Sequence, residues 1–578
     1  MIGAAKYGRI YRSPWLHGGT GAACTFAPPR PAPGVALPTL MWTSSSDRQA
    51  LLEAEWRQPS ARFRNFPLIA RYHAAVRAEP AYHRLDDQTW TDLNGDDLFA
   101  LVDGTTSRVG QQCLYHRLRS PLNNAAELQE FDAAATFFGQ QPTARGKALR
   151  ALHRLTSMEA YYLPDLLAGN ALPALSWTAA APALVLLLLA TVVGGFWQPA
   201  LWLLSGVLFL GHALLHFGYR SQIAAGVRPM LQLGSLYRAG RDLDRLGLPG
   251  PLLQGLAAPL ARLGAIVNKV AFLQAEGQMQ SDLAMLPWFV LQQLKIVLLL
   301  DFIVYHRCRQ QVETHAEAIQ AVYEAVGYTD CALAVASFRA RHVHCAPQLM
   351  ADGYGLRLTA AYNPLVAGCV PNDLTVEAGS VLLTGSNMSG KTTFMRTIGL
   401  NALLAQTIAT CPATAYAGPF RRVVSSINLA DSLTEGKSYY FAEAETILGF
   451  VRAAEANAGG YLFILDELFK GTNTVERIAA TQAVLAYLQP RSLVVASTHD
   501  GELGLLLAPI FAEYHFSETV TETDWYFDYL LKPGPITTRN AIRLLARAGF
   551  PDAIVQQALA LSRELDAAEA GTASGADA

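Results

Sequence analysis

The sequence predicts an α/β domain over residues 346–578, with a parallel-rich sheet flanked by helices. This domain follows an all-α core and lever region that contains a transmembrane helical hairpin. Three observations lead to this prediction. Apolar strand-like runs in the last part of the chain each end in a polar cluster, as strands of a parallel sheet do. Helical apolar spacing covers most of residues 41–345. Residues 166–219 contain no Asp, Glu, Lys or Arg.

Composition narrows the class of protein. The chain has 578 residues, which is enough for three or four domains. A net charge of -2 gives no global basic excess, so any contact with nucleic acid must come from a local patch. Charged residues are only 16% and mean hydropathy is +0.19, which indicates a membrane or very apolar segment. Seven scattered cysteines without a CxxC pair indicate reduced thiols in the cytosol.

The N-terminal part has two segments. Residues 1–40 are rich in Gly, Pro and Ala, and we expect either a disordered tail or an extension ahead of a true start at Met41. Residues 41–165 show helical patterning and are predicted to form the first part of the core. Leu52 and Trp56, four residues apart, share one helix face.

The charge-free segment is predicted to be a membrane hairpin over residues 166–220. Two apolar stretches flank a turn at residues 194–199, and each is long enough for a span of about 20 residues. Aromatic residues that prefer the membrane interface lie near the expected ends: Trp177, Trp197, Trp202 and Tyr219. We therefore expect an integral protein of the cytoplasmic membrane with both hairpin ends and the other domains in the cytoplasm. The alternative is a pair of buried soluble helices.

Residues 221–345 return to helical patterning and are predicted to be the lever and the return of the core. Residues 283–305 are apolar but carry four polar side chains, so we interpret them as one buried or membrane-surface helix. Two groups have metal-like spacing, His212 with His216 and His342 with His344 and Cys345. Neither has further ligands nearby in sequence, so packing roles are favoured.

A phosphate-binding loop follows the predicted strand at residues 381–384. The loop at residues 385–393 reads G-x-x-x-x-G-K-T and opens an apolar helix, which is the context that a P-loop requires. Backbone N–H groups and the helix N-terminus would hold phosphates, Lys391 would reach the β- and γ-phosphates, and Thr392 would bind Mg²⁺. The predicted nucleotide-binding residues here are Gly385, Asn387, Gly390, Lys391, Thr392 and Thr393.

Two further strand ends supply catalytic candidates. The apolar run at residues 461–465 ends in Asp466 and Glu467, an arrangement of the Walker B type. Asp466 would hold Mg²⁺, and Glu467 would act as general base toward the attacking water. The run at residues 492–496 is followed by His499, which we expect to reach the γ-phosphate, because ligands gather at the ends of parallel strands.

These motifs together resemble the MutS family of mismatch-repair ATPases. The matching segments are residues 363–365 and 370–373 ahead of the loop, the loop at 387–396, residues 431–438 with Phe441, residues 466–474 and residues 497–503. Near the end, the residues that resemble the family's terminal dimerisation helices are Tyr529, Gly534, Ala541, residues 548–551 and Ala558. A fainter match covers residues 85–128 and 323–338, at the start and return of the family's helical core.

The resemblance implies a homodimer that uses ATP and Mg²⁺, with Ser438 of each subunit contacting the partner's nucleotide. It also implies DNA as the ligand, in mismatch repair or the sensing of DNA structure, and Arg108, Arg117 and Arg119 are candidate phosphate contacts. The chain departs from the family in two ways: about 80 residues precede the core match, and a hairpin replaces the long arms. The alternatives are an ABC-type transporter-like ATPase and an ATP-binding membrane scaffold.

Overall fold

The computed structural model describes a defined part of the chain: residues 45–59, 63–76, 81–167, 176–247, 255–277, 293–351, 353, 355–385, 389–427, 439–457, 459–520, 525–536, 542, 545–546 and 548–573. The chain forms two compact units, Met1–Ala50 and Leu51–Ala578. The predicted N-terminal extension at 1–40, Asn387 and Ser438 lie outside the described residues.

The part of the chain before residue 345 is helical where it is described, as predicted. Short helices come first: α1 Ser45–Arg57, α2 Phe66–Ile69, α3 Arg71–Ala75, α4 Asp87–Asp92, α5 Gly95–Val102, α6 Arg108–Arg119, α7 Ala125–Gln140 and α8 Pro142–Leu152. Longer helices follow: α9 Ala181–Gly194, α10 Leu201–Leu231, α11 Leu233–Asp244, α12 Ala257–Gly277, α13 Leu300–Thr314 and α14 Ala316–Arg341.

Helix α14 is the axis of this helical part, and a buried acid joins it to α6. Asp330 of α14 is fully buried and accepts hydrogen bonds from the backbone N–H of Thr106 (2.9 Å) and of Ser107 (2.7 Å), and from the Ser107 hydroxyl. Ser107 in turn caps α6 by accepting the Gly110 N–H. A Cβ on Gly110 would lie 2.1 Å from the Asp330 carboxylate, so only glycine allows this approach.

Helices α9 and α10 pack together as a hairpin with an exposed apolar surface. Residues 177–194 and 201–219 are long and apolar enough to cross a membrane, judged by length and composition alone. Only about a fifth of each is buried in the protein, and Trp197 and Leu203 are 79% and 80% exposed. The second helix continues beyond residue 220 to Leu231.

The helix predicted over residues 283–305 is present in its described part, residues 293–305, but is interrupted there. The helix breaks at Leu299, whose φ of +46° is left-handed. The break frees the Val297 carbonyl, which lies 2.9 Å from His212 Nδ1, and Lys295 pairs with Asp301 across it at 3.0 Å. Asp301 also lies 3.8 Å from His216, a carboxylate neighbour that sequence spacing could not show.

The C-terminal part is α/β with mixed sheets. Its strands are β1 Gln348–Met350, β2 Leu356–Ala361, β3 Asn372–Val376, β4 Ser380–Thr384, β5 Ala415–Pro419, β6 Arg422–Ser426, β7 Tyr461–Asp466, β8 Leu493–Ser497, β9 Phe511–His515, β10 Glu518–Val520, β11 Trp525–Phe527 and β12 Lys532–Pro533. Its helices are α15 Lys391–Thr407, α16 Tyr439–Ala456, α17 Thr474–Leu488, α18 Gly501–Leu507 and α19 Asp552–Ala573.

The main sheet has six strands in the order β12-β9-β4-β8-β7-β6, parallel except at β12. Helix α15 lies next to this sheet, and β4, β7 and β8 are buried and apolar, as strands covered on both faces are. A second, four-stranded sheet in the order β1-β5-β2-β3 was not predicted. The register pairs Leu383 with Ser497 and Ser497 with Asp466, so β4, β8 and β7 end at one edge.

Buried polar contacts join the helical part to this sheet. Asp92 at the end of α4 accepts hydrogen bonds from the Ser425 hydroxyl and the Ile427 N–H, both at 2.9 Å. Its carbonyl accepts from Arg396 of α15 at 2.7 Å. Arg339 at the end of α14 donates to the Ala409 carbonyl at 2.9 Å, just beyond α15. The helical part therefore contacts both ends of the α15 region.

The three arginines predicted as candidate phosphate contacts are internal instead. Arg117 is half-buried, with its guanidinium over the Phe131 ring, and donates to the Thr407 carbonyl at 2.6 Å. Arg119 is buried against Tyr115 and pairs with Asp87. Arg108 donates to the Thr156 carbonyl. The sequence shows three arginines on one helix, but it does not show that this helix, α6, packs against α14 and α15.

Candidate functional site

The predicted phosphate loop joins β4 to α15. Gly385 and Gly390, on either side of the loop, have φ of +135° and +106°, a left-handed backbone that favours glycine. A Cβ on Gly385 would also lie 2.6 Å from the Phe516 carbonyl oxygen. The two glycines thus allow the backbone to turn tightly from the strand into the helix.

Lys391, the first residue of α15, is 2% exposed, and its ammonium donates to the Gly385 carbonyl at 2.5 Å. Burial lowers the pKa of Lys391, while the nearby charges of Glu467 and Asp466 raise it. The lysine and both acids therefore lie at the same place, as the sequence motifs predicted. A cation buried beside the loop backbone is the arrangement that binds an anionic phosphate.

Thr392 and Asp466 meet at the adjoining strand end. The Thr392 hydroxyl donates to Asp466 Oδ2 at 3.0 Å, and the Ser497 hydroxyl donates to Asp466 Oδ1. A carboxylate and a hydroxyl in contact, both oxygen donors, form a set that suits Mg²⁺. Ser497 was part of the sequence match but was not predicted as a site residue, and its position opposite Asp466 in the β7–β8 register is what brings it here.

Glu467 is held by the imidazole of His499 and the ammonium of Lys470. Its carboxylate lies 2.6 Å from His499 Nε2 and 3.0 Å from Lys470 Nζ. Burial raises the pKa of Glu467, but the hydrogen bonds from His499 and Lys470 outweigh burial and bring this pKa to about 2. Glu467 is thus ionised at any neutral pH, as a general base must be. His499 therefore contacts Glu467 in this structure, whereas the sequence predicted that it reaches the γ-phosphate.

The turn that carries Glu467 is strained. Glu467 and Phe469 have φ of +51° and +59°, and a left-handed non-glycine residue costs about 1–3 kcal/mol. Glu443 of α16 stabilises this turn: its Oε1 accepts the Phe469 N–H at 2.6 Å. The side chain is 2% exposed, and burial raises the pKa of Glu443. Nothing local distinguishes Glu443 from Glu445 in the sequence, so its role was not predicted.

A cavity of about 430 Å³ opens beside the start of α15. It is lined by Ala361, residues 366–370, Asn372, Gly390, Thr392, Thr393, Phe394, Thr397, Phe516 and Tyr529. The volume falls in the range of about 300–1,000 Å³ typical of ligand sites. Apolar and aromatic side chains thus lie directly next to the predicted phosphate loop.

Asn372 closes one wall of this cavity. Its side chain donates to the Tyr529 carbonyl at 2.9 Å and accepts the Leu531 N–H at 2.7 Å. Tyr529 and Gly534 were assigned by resemblance to the terminal helices, but the structure places Tyr529 in an irregular segment after β11 and Gly534 just after β12. The sequence pattern could not show that this segment folds back onto the cavity.

The C-terminal part of the chain is similar to known proteins. Residues 381–566 match the family model for MutS domain V. The chain is 31% identical over 270 residues to DNA mismatch repair protein MutS of Natronomonas pharaonis, covering 45% of this chain and 31% of that protein. It is 31% identical over 273 residues to MutS of Thermus thermophilus, covering 46% of this chain and 33% of that protein.

A third relative, DNA mismatch repair protein MutS 2 of Haloarcula marismortui, is 28% identical over 302 residues, covering 47% of this chain and 31% of that protein. The chain thus matches about a third of the length of these curated relatives. The matched residues include the phosphate loop, the acidic end of β7 and His499 beyond β8.

Proposed function

We propose that the chain is an ATPase of the MutS family, which its match to MutS domain V supports, and that it binds ATP with Mg²⁺ and hydrolyses it at the edge of the six-stranded sheet. One observation supports this most strongly. Lys391, the Thr392–Asp466 pair and the ionised Glu467 lie together where three parallel strands end. That set contains a phosphate ligand, a metal ligand pair and a base.

The nucleotide would bind across the start of α15. Backbone N–H groups of residues 385–391 and the Lys391 ammonium would hold the phosphates. Thr392 and Asp466 would hold Mg²⁺, which neutralises phosphate charge when bound. The cavity walled by Phe516 and Tyr529 has the size and apolar lining for the nucleoside. Thr393 follows the phosphate loop and also lines this cavity, so it would contact the phosphates or the nucleoside.

Glu467 would take a proton from the attacking water. For this, its carboxylate must turn toward the phosphate and away from His499, Lys470 or both. His499 would then be free to reach the γ-phosphate, as its position at the end of β8 suggests. The contact between His499 and Glu467 thus represents a resting arrangement that nucleotide binding rearranges.

The whole site would be completed by a second subunit. We propose a homodimer in which Ser438 of each subunit contacts the partner's nucleotide, as the resemblance of residues 431–438 implies. The relatives are named for DNA mismatch repair, and DNA is the proposed ligand of the dimer. Motion from the site would reach the helical part through the Asp92 and Arg339 contacts.

We further propose that α9 and α10 anchor the protein in the cytoplasmic membrane. Apolar side chains that are more than half exposed run along both helices: Leu186, Val193, Leu203, Val207, Leu210, Leu214 and Phe217. So continuous an apolar surface favours lipid as the surrounding medium.

The same surface favours a second candidate function, an ATP-driven membrane scaffold or ABC-type protein that does not read DNA. Its nucleotide chemistry would be the same, and only the ligand of the helical part would differ. A comparison of DNA binding with transport in vesicles therefore separates the two.

The test uses the full chain in detergent. We expect ATP-dependent phosphate release, absent in Lys391→Ala because the loop loses its buried cation. Binding to matched, mismatched and branched DNA is then measured across a salt series, since phosphate contacts give a linear fall of log affinity with log salt. No phosphate release from well-folded wild type would overturn the ATPase proposal. No DNA binding, with ATP-dependent solute uptake in vesicles, would favour the second candidate.

A further inference from the structure

Two cysteines meet at the joint between the helical part and the α/β part. Cys345 lies just beyond the end of α14, and Cys411 lies just beyond the end of α15. Their backbones form an isolated antiparallel bridge: the Cys345 N–H donates to the Cys411 carbonyl at 3.0 Å, and the Cys411 N–H donates to the Cys345 carbonyl at 2.9 Å. They are 66 residues apart in sequence (411 minus 345), so this contact is tertiary.

The geometry of such a bridge suits a covalent link. Directly opposed residues of a hydrogen-bonded antiparallel pair have Cα atoms about 5.5 Å apart, with both side chains on one face. A disulfide needs a Cα separation of about 4.4–6.8 Å. The Cys411 thiol donates to the Asn401 carbonyl at 3.7 Å, and the backbone bridge places Cys345 directly opposite it. Both are free thiols in this structure.

We propose that Cys345 and Cys411 form a redox-sensitive dithiol, a modification site at which a hydroperoxide produces a reversible disulfide. Neither cysteine belongs to the nucleotide site described above, so this inference does not depend on the proposed function. Cys345 is partly exposed. The cysteines that lie on helices are buried: Cys113, Cys308 and Cys331.

The two thiols have different roles in the reaction. Interaction with the Cys411 side chain lowers the pKa of Cys345, against the opposing effect of burial, whereas burial raises the pKa of Cys411. The Cys345 thiolate, the more accessible and more acidic partner, attacks one peroxide oxygen. The O–O bond breaks, the other oxygen leaves as water or an alcohol, and Cys345 becomes a sulfenic acid.

The Cys411 sulfur then attacks the Cys345 sulfur. The S–O bond breaks, and the leaving hydroxide takes up the Cys411 proton as water. Overall, two thiols and one hydrogen peroxide give one disulfide and two waters, with sulfur oxidised and peroxide oxygen reduced. A thiol reductant reverses the change.

The disulfide would add a covalent link at a joint where the Cys345–Cys411 backbone bridge and the contacts of Arg339 already connect the two parts. Arg339, two residues before the end of α14, donates to the Ala409 carbonyl and to the Thr410 hydroxyl, both at 2.9 Å, and pairs with Asp132 of α7 at 2.6 Å. These hydrogen bonds would break or change partners if the two parts moved relative to each other. A covalent link between residues 345 and 411 would restrict that movement and so limit any work transmitted from α15 to α14.

The test is peptide mapping of the full chain after brief exposure to hydrogen peroxide, alkylation of remaining thiols and trypsin digestion without reductant. Each cysteine lies in its own tryptic peptide, residues 342–357 and residues 397–421. We expect these two peptides to appear linked, about 2 Da lighter than their sum, and to separate after reduction. In Cys411→Ser, we expect Cys345 to persist as a sulfenic acid that dimedone traps.

Three results would overturn the proposal: a linkage of either cysteine to a different one, oxidation of Cys345 alone in the wild type, or no reaction at doses that label Cys345 in Cys411→Ser. Cys308→Ser serves as the matched control and should leave the linked peptide unchanged. If Cys411→Ser melts at a lower temperature than wild type, Cys345→Ser gives the same information, since Cys411 alone should then stay reduced.

Discussion

His499 Nε2 lies 2.6 Å from Glu467 Oε1, so that the ends of β8 and β7 share one hydrogen bond at the centre of the site. Lys470 approaches the other carboxylate oxygen at 3.0 Å. Burial raises the pKa of Glu467, but the contacts with His499 and Lys470 lower it by more, and they also hold the carboxylate in place. Under the proposed mechanism, Glu467 would have to leave at least one of these two contacts when nucleotide binds.

Lys470→Ala should make ATP hydrolysis more sensitive to acid. Lys470 lowers the pKa of Glu467 to about 2 together with His499, so its loss raises that pKa while burial continues to raise it. The base form is present above its pKa and is lost as pH falls through it, so the acid limb of the rate profile should move to higher pH. Profiles of kcat/KM against pH measure this, because they report the pKa values of the nucleotide-free protein. Lys470→Arg should keep the wild-type limb, and an unmoved limb in Lys470→Ala would contradict the assignment.

Glu443→Ala should slow turnover without weakening nucleotide binding. Its carboxylate accepts the Phe469 N–H inside the strained turn that carries Glu467. A buried hydrogen bond to a charged group contributes about 1.5–3 kcal/mol, which corresponds to about a 10- to 100-fold loss of kcat if it acts on the base alone. Glu443→Gln retains an acceptor and should recover most of the rate. Equal loss in both variants, or a rise in KM alone, would refute a positioning role.

Asp92→Ala should destabilise the joint between α4 and the sheet. Its carboxylate accepts from the Ser425 hydroxyl and the Ile427 N–H in a fully buried place, and a donor left without a partner there costs about 1–3 kcal/mol. Thermal melting in detergent should show a clear drop. Asp92→Asn keeps one acceptor oxygen and should lose less. Melting temperatures indistinguishable from wild type would mean that this contact does not hold the two parts together.

Leu210→Arg should release the protein from membranes. Leu210 lies in the middle of the second apolar stretch and is 60% exposed on the protein surface. At the centre of a membrane span, arginine costs about 2.5–3.5 kcal/mol, whereas on a water-facing surface it costs almost nothing. The measurement is the fraction that resists alkaline carbonate extraction, with Leu210→Ala as the control. Equal fractions for both variants would argue against a span at α10.

The main features of the α/β site could be predicted because each depends on local sequence. A buried strand followed by the loop at residues 385–391, and another followed by Asp466 and Glu467, carry their geometry in the order of residues, since parallel strands end at one edge of a sheet. The exposed hairpin was likewise predictable in its apolar character, because charge-free length is visible in composition alone.

Features that depend on distant packing could not be predicted. Glu443 resembles any helix acid until α16 packs against the turn at Phe469, and Tyr529 resembled part of a terminal helix until Asn372 fixed it beside the cavity. Arg117 resembled a basic surface residue, yet the ring of Phe131 and the Thr407 carbonyl enclose it. In each case the deciding partner is more than ten residues away in sequence.

The central claim is that Glu467 is the base of an ATP-hydrolysing site, and the direct measurement is single-turnover hydrolysis of radiolabelled ATP by wild type and by Glu467→Gln. We expect the variant to bind ATP as tightly as wild type and to hydrolyse it at least about 100-fold more slowly, because an amide cannot take the proton from water. It should also accumulate as a closed dimer with ATP bound. Hydrolysis by Glu467→Gln at the wild-type rate would contradict the account.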